Sequence, residues 1–127
     1  MIRTGTRDVP GGATIRTVTF DRPERRNALT PAGLDQLEAA VTDATEPVVR
    51  LGGRGEAFCA GADLDVVDGL EDRAAAQAFA ETGQRVANAI ADADLAVVAG
   101  IDGAAAGGGL ELALACDLRI ATPAATL

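Results

Sequence analysis

The sequence predicts an α/β fold with largely parallel strands, and three observations carry that prediction. Strand-like and helix-like segments alternate, in the order strand, helix, strand, loop, helix, strand, loop, helix, strand. Two short apolar runs, at 48–51 and 95–101, have strand length, and the second has the unbroken hydrophobicity of a strand buried on both faces. Each run leads into a glycine-containing loop, where α/β folds place ligand sites, beyond the carboxyl ends of the strands. At 127 residues the chain can bury about two-thirds of its unfolded surface in one core, and no linker interrupts it.

The elements follow from local chemistry. Residues 13–20 alternate through Ile15, Val18 and Phe20 and end at the turn signal Asp21-Arg22-Pro23, so they read as a strand. Thr30 followed by Pro31 reads as N-cap plus first helical residue. The helix they open runs to about residue 44, with Leu34, Leu37, Ala40 and Val41 at helical spacing. Residues 48–51 form a short buried strand stopped by Gly52-Gly53, and the loop "GEAFCAGADLD" follows. A second helix is expected at 71–91, with Phe79, Val86 and Ile90 on one face. The strand at 95–101, a loop at 103–109, a helix at 110–116 and a strand at 118–121 complete the chain.

Composition removes whole classes of mechanism. The net charge is −8, all eleven basic residues are arginine, and no basic patch stands out, which argues against nucleic-acid binding. The acidic, alanine-rich balance fits either a salt-rich cytoplasm or GC-rich codon usage. Without histidine the chain builds no Ser-His-Asp or Cys-His arrangement and no histidine metal site. Without lysine there is no P-loop and no Schiff base. Apolar stretches fall short of membrane-spanning length and no amino-terminal leader pattern is present, so a soluble cytoplasmic protein is expected. Cys59 and Cys116 read as buried reduced thiols. Carboxylates, backbone amides and a thiol remain as chemistry.

Those groups converge on the two loops. In "AAAGGGLELALAC" the glycine triplet at 107–109 opens a helix, so its first amides lack intrahelical acceptors and can donate to an anion. Glu111 lies one turn in, expected to be shielded by small neighbours such as Ala104, Ala105 and Ala115. In "FCAGADL" small side chains again leave an amide exposed near Ala62, with Asp63 placed as a helix N-cap. Packing of helix on strand, with Glu111 complementing the helix dipole, accounts for the same residues. Two amides converging from neighbouring loops would instead form an oxyanion hole.

The stretches "RPERRNAL", "AFCAGADLD" and "VVAGIDGAAAGGGLELALACDLRIA", in this order and spacing, closely resemble the enoyl-CoA hydratase/isomerase (crotonase) family. The third fits the family's signature along its whole length. The resemblance implies a crotonase-like ββα superhelix. It makes residues 1–127 the amino-terminal part of one such domain, stopping before the second catalytic glutamate and the carboxyl-terminal helices. It implies an acyl-CoA thioester as partner, syn addition of water to a 2-enoyl-CoA, and no cofactor beyond the CoA of the substrate. By motif position Ala62 and Gly108 would supply the oxyanion amides, and Glu111 would be the first of two catalytic glutamates. Ala60, Gly61, Ala62, Asp63, Leu64 and Asp65 would lie along CoA, with Arg25 and Arg26 as partners for its phosphates.

The same resemblance implies a homo-oligomer, a trimer or dimer of trimers at full length. Isomerase or other acyl-CoA lyase or hydrolase chemistry is open to the same oxyanion hole. A half-domain that binds thioesters without catalysis is the alternative of a different class. Asp65 stands where many members carry a lysine, so one contact to CoA is expected to be missing.

Overall fold

The computed structural model describes residues 1–127. Its elements in chain order are β1 (Ile2–Asp8), β2 (Thr14–Phe20), α1 (Pro31–Thr42), β3 (Val48–Gly53), β4 (Ala57–Cys59), α2 (Leu64–Asp68), α3 (Arg73–Ala91), β5 (Ala96–Ile101), β6 (Ala104–Ala105), α4 (Gly108–Ala115) and β7 (Leu118–Ala121). Five strands make the main sheet in the order β1-β2-β3-β5-β7, and β4 pairs with β6 in a small second sheet. Every pairing is parallel except β1 with β2.

Helix starts follow the capping chemistry of the sequence. The Thr30 hydroxyl accepts from the Gly33 amide at 3.1 Å, and Pro31 occupies a position that needs no N–H. Asp72 caps α3 by accepting from Ala75 N at 2.8 Å. Leu34, Leu37 and Val41 of α1 and Val86 and Ile90 of α3 belong to one buried cluster with Val18, Phe20, Val49, Leu51, Val97, Ala99 and Ile101 of the sheet. Phe58 of β4 meets Phe20 edge to face, with ring centroids 5.4 Å apart, tying the small sheet to the large one.

Four expectations are corrected. An edge strand, β1, precedes the first expected strand; beyond Ile2 its residues are exposed, so no hydrophobic alternation announced it. The loop after β3 contains a further strand, β4, before the short helix α2 that Asp63 opens. The apolar run at β5 buries one face only: Val97, Ala99 and Ile101 point into the core, while Ala96, Val98 and Gly100 alternate as exposed or half-covered. Helix α4 begins at Gly108 rather than at residue 110, which puts two of the three glycines inside its first turn.

Candidate functional site

The site starts from a close approach of two backbones. The parallel pair β4–β6 sends its two following loops out of the same end of the small sheet. Gly61 has φ +91°, and a Cβ there would lie 2.9 Å from the Ala106 carbonyl oxygen and 3.2 Å from the Gly108 nitrogen. A Cβ on Gly109 would lie 2.2 Å from the Cys59 carbonyl oxygen. Only glycine lets the loops meet at these two points.

That meeting aims two amides. Residue 62 forms a parallel bridge with Leu29, in which Leu29 N–H donates to Gly61 O at 2.7 Å and Asp63 N–H donates to Leu29 O at 2.9 Å. Because strand groups alternate in direction, fixing the polar groups on either side turns the Ala62 N–H the other way. It has no acceptor within the chain. Gly108 N–H has none either, since the first bonds of α4 run from Gly109 to Ala106 and from Glu111 to Gly107. Ala62, Gly108 and Glu111 line one cavity of about 350 Å³. Its apolar walls are Leu29, Leu34, Val67, Phe79 and Leu112.

Glu111 is exposed, and Ala104, Ala105 and Ala115 do not line the cavity, so the expected shielding is corrected. Apolar cover comes from α1, α2 and α3 instead. The thiols drop out as reactive groups: burial pushes Cys59 and Cys116 each up to about 11, so neither is a thiolate near neutral pH. Cys59 donates to Asn27 O and Cys116 to Leu112 O.

A second cavity of about 500 Å³ adjoins the first at Ala62 and is lined by Glu24, Arg25, Arg26, Ala28, Ala60, Ala62, Asp63, Leu64 and Asp65. The structure thus gathers Arg25, Arg26, Ala60, Ala62, Asp63, Leu64 and Asp65 in one cleft. Gly61 stays behind it as the hinge of the backbone approach.

Asp63 caps α2 as expected, accepting from Asp65 N at 2.9 Å and Val66 N at 3.3 Å. It is also 1% exposed and ion-paired to Arg22 at 2.6 Å and to Arg25 at 3.4 Å. Arg25 pairs in addition with Asp65, so within the chain it is already a paired cation. Arg26 is exposed, has a left-handed backbone (φ +50°) and makes no ion pair.

Sequence reasoning missed Asn27. It is fully buried with φ +58°. Its amide donates to Ala57 O at 2.7 Å and Arg54 O at 3.0 Å, and its oxygen accepts from Arg22 N at 2.9 Å. It thereby fastens the segment carrying Leu29 to β4. Asparagine is one of the few non-glycine residues that tolerates this conformation, and that was the available signal.

The Arg22 hydrogen bond holds the Asp63 carboxyl below the usual aspartate range, ahead of the opposing effect of burial and the further pull of the α2 amides and Arg25. A carboxyl lowered on folding stabilises the native state fully above its unfolded value and loses that contribution as pH falls through the native value. The stability lead of the native chain over Asp63→Asn is therefore expected to hold constant above about pH 5 and to shrink steadily in stronger acid. Urea midpoints of both chains across that range check this; a lead that does not narrow in acid contradicts it.

Comparison with known proteins supplies the frame. The family model described as enoyl-CoA hydratase/isomerase matches residues 11–127. YngF of Bacillus subtilis, named as an enoyl-CoA hydratase/isomerase, is 43% identical over 115 residues, covering 87% of this chain and 44% of that protein. A fatty acid oxidation complex subunit alpha of Idiomarina loihiensis is 35% identical over 85% of this chain but only 16% of its own length. The crystal structure of an enoyl-CoA hydratase from Bacillus anthracis superposes with a TM-score of 0.87 at 32% identity, covering 98% of this chain and 48% of that one. The fold is that of these enzymes, and the chain spans at most about half the length of the proteins it matches.

Proposed function

The chain belongs to the enoyl-CoA hydratase/isomerase family, and from that membership we propose that it holds an acyl-CoA thioester across the two adjoining cavities for syn addition of water to a 2-enoyl-CoA. One observation carries the reading: the Ala62 and Gly108 amides, both without acceptors, share a cavity with Glu111. In this reading the thioester oxygen accepts from both N–H groups. Negative charge grows on that oxygen as water attacks Cβ, so preset donors stabilise the enolate-like state more than the substrate. Glu111 takes a proton from the attacking water. The acyl chain runs between Leu29, Leu34, Phe79 and Leu112, while the pantetheine and then the adenine portion of CoA pass along Ala60–Asp65, with Asp65 at the nucleotide end. CoA belongs to the substrate and no cofactor enters the step.

Delivering a proton to Cα needs a second acid, and Glu111 is the single carboxylate lining the cavity. That observation favours a second reading for these 127 residues alone, a thioester-binding half-domain without turnover. Isomerase or other acyl-CoA lyase or hydrolase chemistry would use the same pair of amides. By the same inference the protein is cytoplasmic and self-associates, as a trimer or dimer of trimers at full length. No helix is long and apolar enough to cross a membrane.

The test follows loss of enoyl-thioester ultraviolet absorbance for the 127-residue chain and for a chain completed with the carboxyl-terminal half of a relative. Thioester binding by both, with hydration only by the completed chain, is expected. Robust hydration by the short chain would overturn the need for a second acid. Absence of thioester binding by either would overturn the reading as a whole.

A further inference from the structure

The cleft assigned to the carrier end of the thioester is electrostatically odd. Three carboxylates, Glu24, Asp63 and Asp65, line it with two guanidiniums, Arg25 and Arg26, and Arg22 neutralises Asp63 from just outside the lining. CoA brings a pyrophosphate and a further phosphate at that end, so the ligand meets a wall with no net positive charge. Arg25 does little to relieve this. Its Nη2 nitrogen serves both Asp63, at 3.4 Å, and Asp65. The hydrogen bond to Asp65 and then its charge raise Arg25 above its ordinary value, with Asp63 adding to the effect.

The two carboxylates differ in what they do. Asp63 has structural work: it caps α2 and pairs with Arg22. Asp65 is exposed, with 77% of its side chain open to solvent, and its only side-chain partner is Arg25. A phosphate reaching Arg25 competes with a carboxylate that the first turn of α2 keeps beside it.

Resting on the thioester reading above, we propose that Asp65 is a specificity-determining residue: by pairing with Arg25 it competes with the nucleotide phosphates of CoA for that cation. The site then selects thioesters by their acyl and pantetheine parts, and takes pantetheine thioesters about as readily as CoA thioesters. Arg26, the one cation of the cleft without an ion pair, is exposed, and a contact between exposed charges contributes little, so it compensates only in part.

Calorimetric titration with butyryl-CoA and butyryl-pantetheine, which cannot be hydrated, tests this on the native chain, Asp65→Asn, and Asp65→Asn/Arg25→Gln. The native chain is expected to bind the two esters within about threefold of each other. Asp65→Asn is expected to tighten butyryl-CoA by about 3–10-fold, leave butyryl-pantetheine unchanged, and lose the gain in high salt. The double variant is expected to return to the native ratio. Circular dichroism confirms that each variant is folded. If both esters bind and their ratio is the same in Asp65→Asn, or the native chain already strongly prefers butyryl-CoA, the role of Asp65 is overturned while the thioester reading stands. If neither ester binds any of the three, the thioester reading falls, and this inference with it.

Discussion

Gly108→Pro is expected to leave the chain folded and to slow hydration by the completed chain about 10²–10³-fold. The substitution is chosen for what it leaves intact. Gly108 is the first residue of α4, and its N–H serves no hydrogen bond within the chain. Proline fits a first helical position, where its missing N–H costs no helix bond and its fixed φ suits the turn. The nearest obstacle to a Cβ is the Leu29 Cδ1 atom at 3.3 Å, the end of a side chain that can shift by a few tenths of an ångström. The ring carbon bonded to nitrogen then sits where the proton was aimed, so the thioester oxygen loses one of two donors. The loss should appear in kcat more than in KM, because the donor matters most once charge has built up on the oxygen. Thermal unfolding and initial rates of both chains check this. Native rates in a folded Gly108→Pro chain would remove that amide from the mechanism.

How far the site could be read from sequence depended on the distance over which each feature is determined. The start of α1 at Thr30-Pro31 and the cap at Asp63 are settled within four residues of chain, and the structure has both. The loops at Gly61 and Gly107–Gly109 are legible as places of close backbone approach, but their residues alone fit packing at least as well as ligand binding. The structure shows the packing, with Gly61 and Gly109 at the close contacts, and it leaves the amide of Gly108 without an acceptor in the chain.

What escaped is nonlocal. The Asp63–Arg22 pair joins residues 41 apart, and the Leu29 bridge that turns the Ala62 amide joins residues brought together only by the fold. Helical spacing puts Phe79 on the face of Val86 and Ile90, yet nothing in that pattern says that Phe79 lines a cavity together with Gly108. Glu111 illustrates the same boundary. Its place in the first turn of α4 follows from the glycines before it, whereas its exposure depends on what neighbouring elements cover.

Glu111→Gln should separate proton transfer from thioester binding, with turnover of the completed chain falling about 10²–10⁴-fold and butyryl-CoA affinity nearly unchanged. The side chain has no hydrogen-bond or ion-pair partner within the chain, so glutamine leaves nothing unpaired. Its carboxylate favours the amino end of α4 by about 0.3–1 kcal/mol, which bounds the stability cost. Glutamine keeps the size and can still bind water, but it cannot accept the proton that water must lose as it attacks Cβ.

Paired with Gly108→Pro, the variant also discriminates between the chemistries this family fold can support. Every one of them passes charge onto the thioester oxygen and should suffer from Gly108→Pro. Only those that route a proton through Glu111 should suffer from Glu111→Gln. Loss of absorbance with time, measured alongside titration with butyryl-CoA, reads rate and affinity independently. Collapse of both rates with affinity preserved fits hydration as proposed. Native turnover in Glu111→Gln together with collapse in Gly108→Pro would keep the oxyanion site and strip Glu111 of its role. Whatever proton transfer the protein then performs would have to come from a group outside this cavity wall.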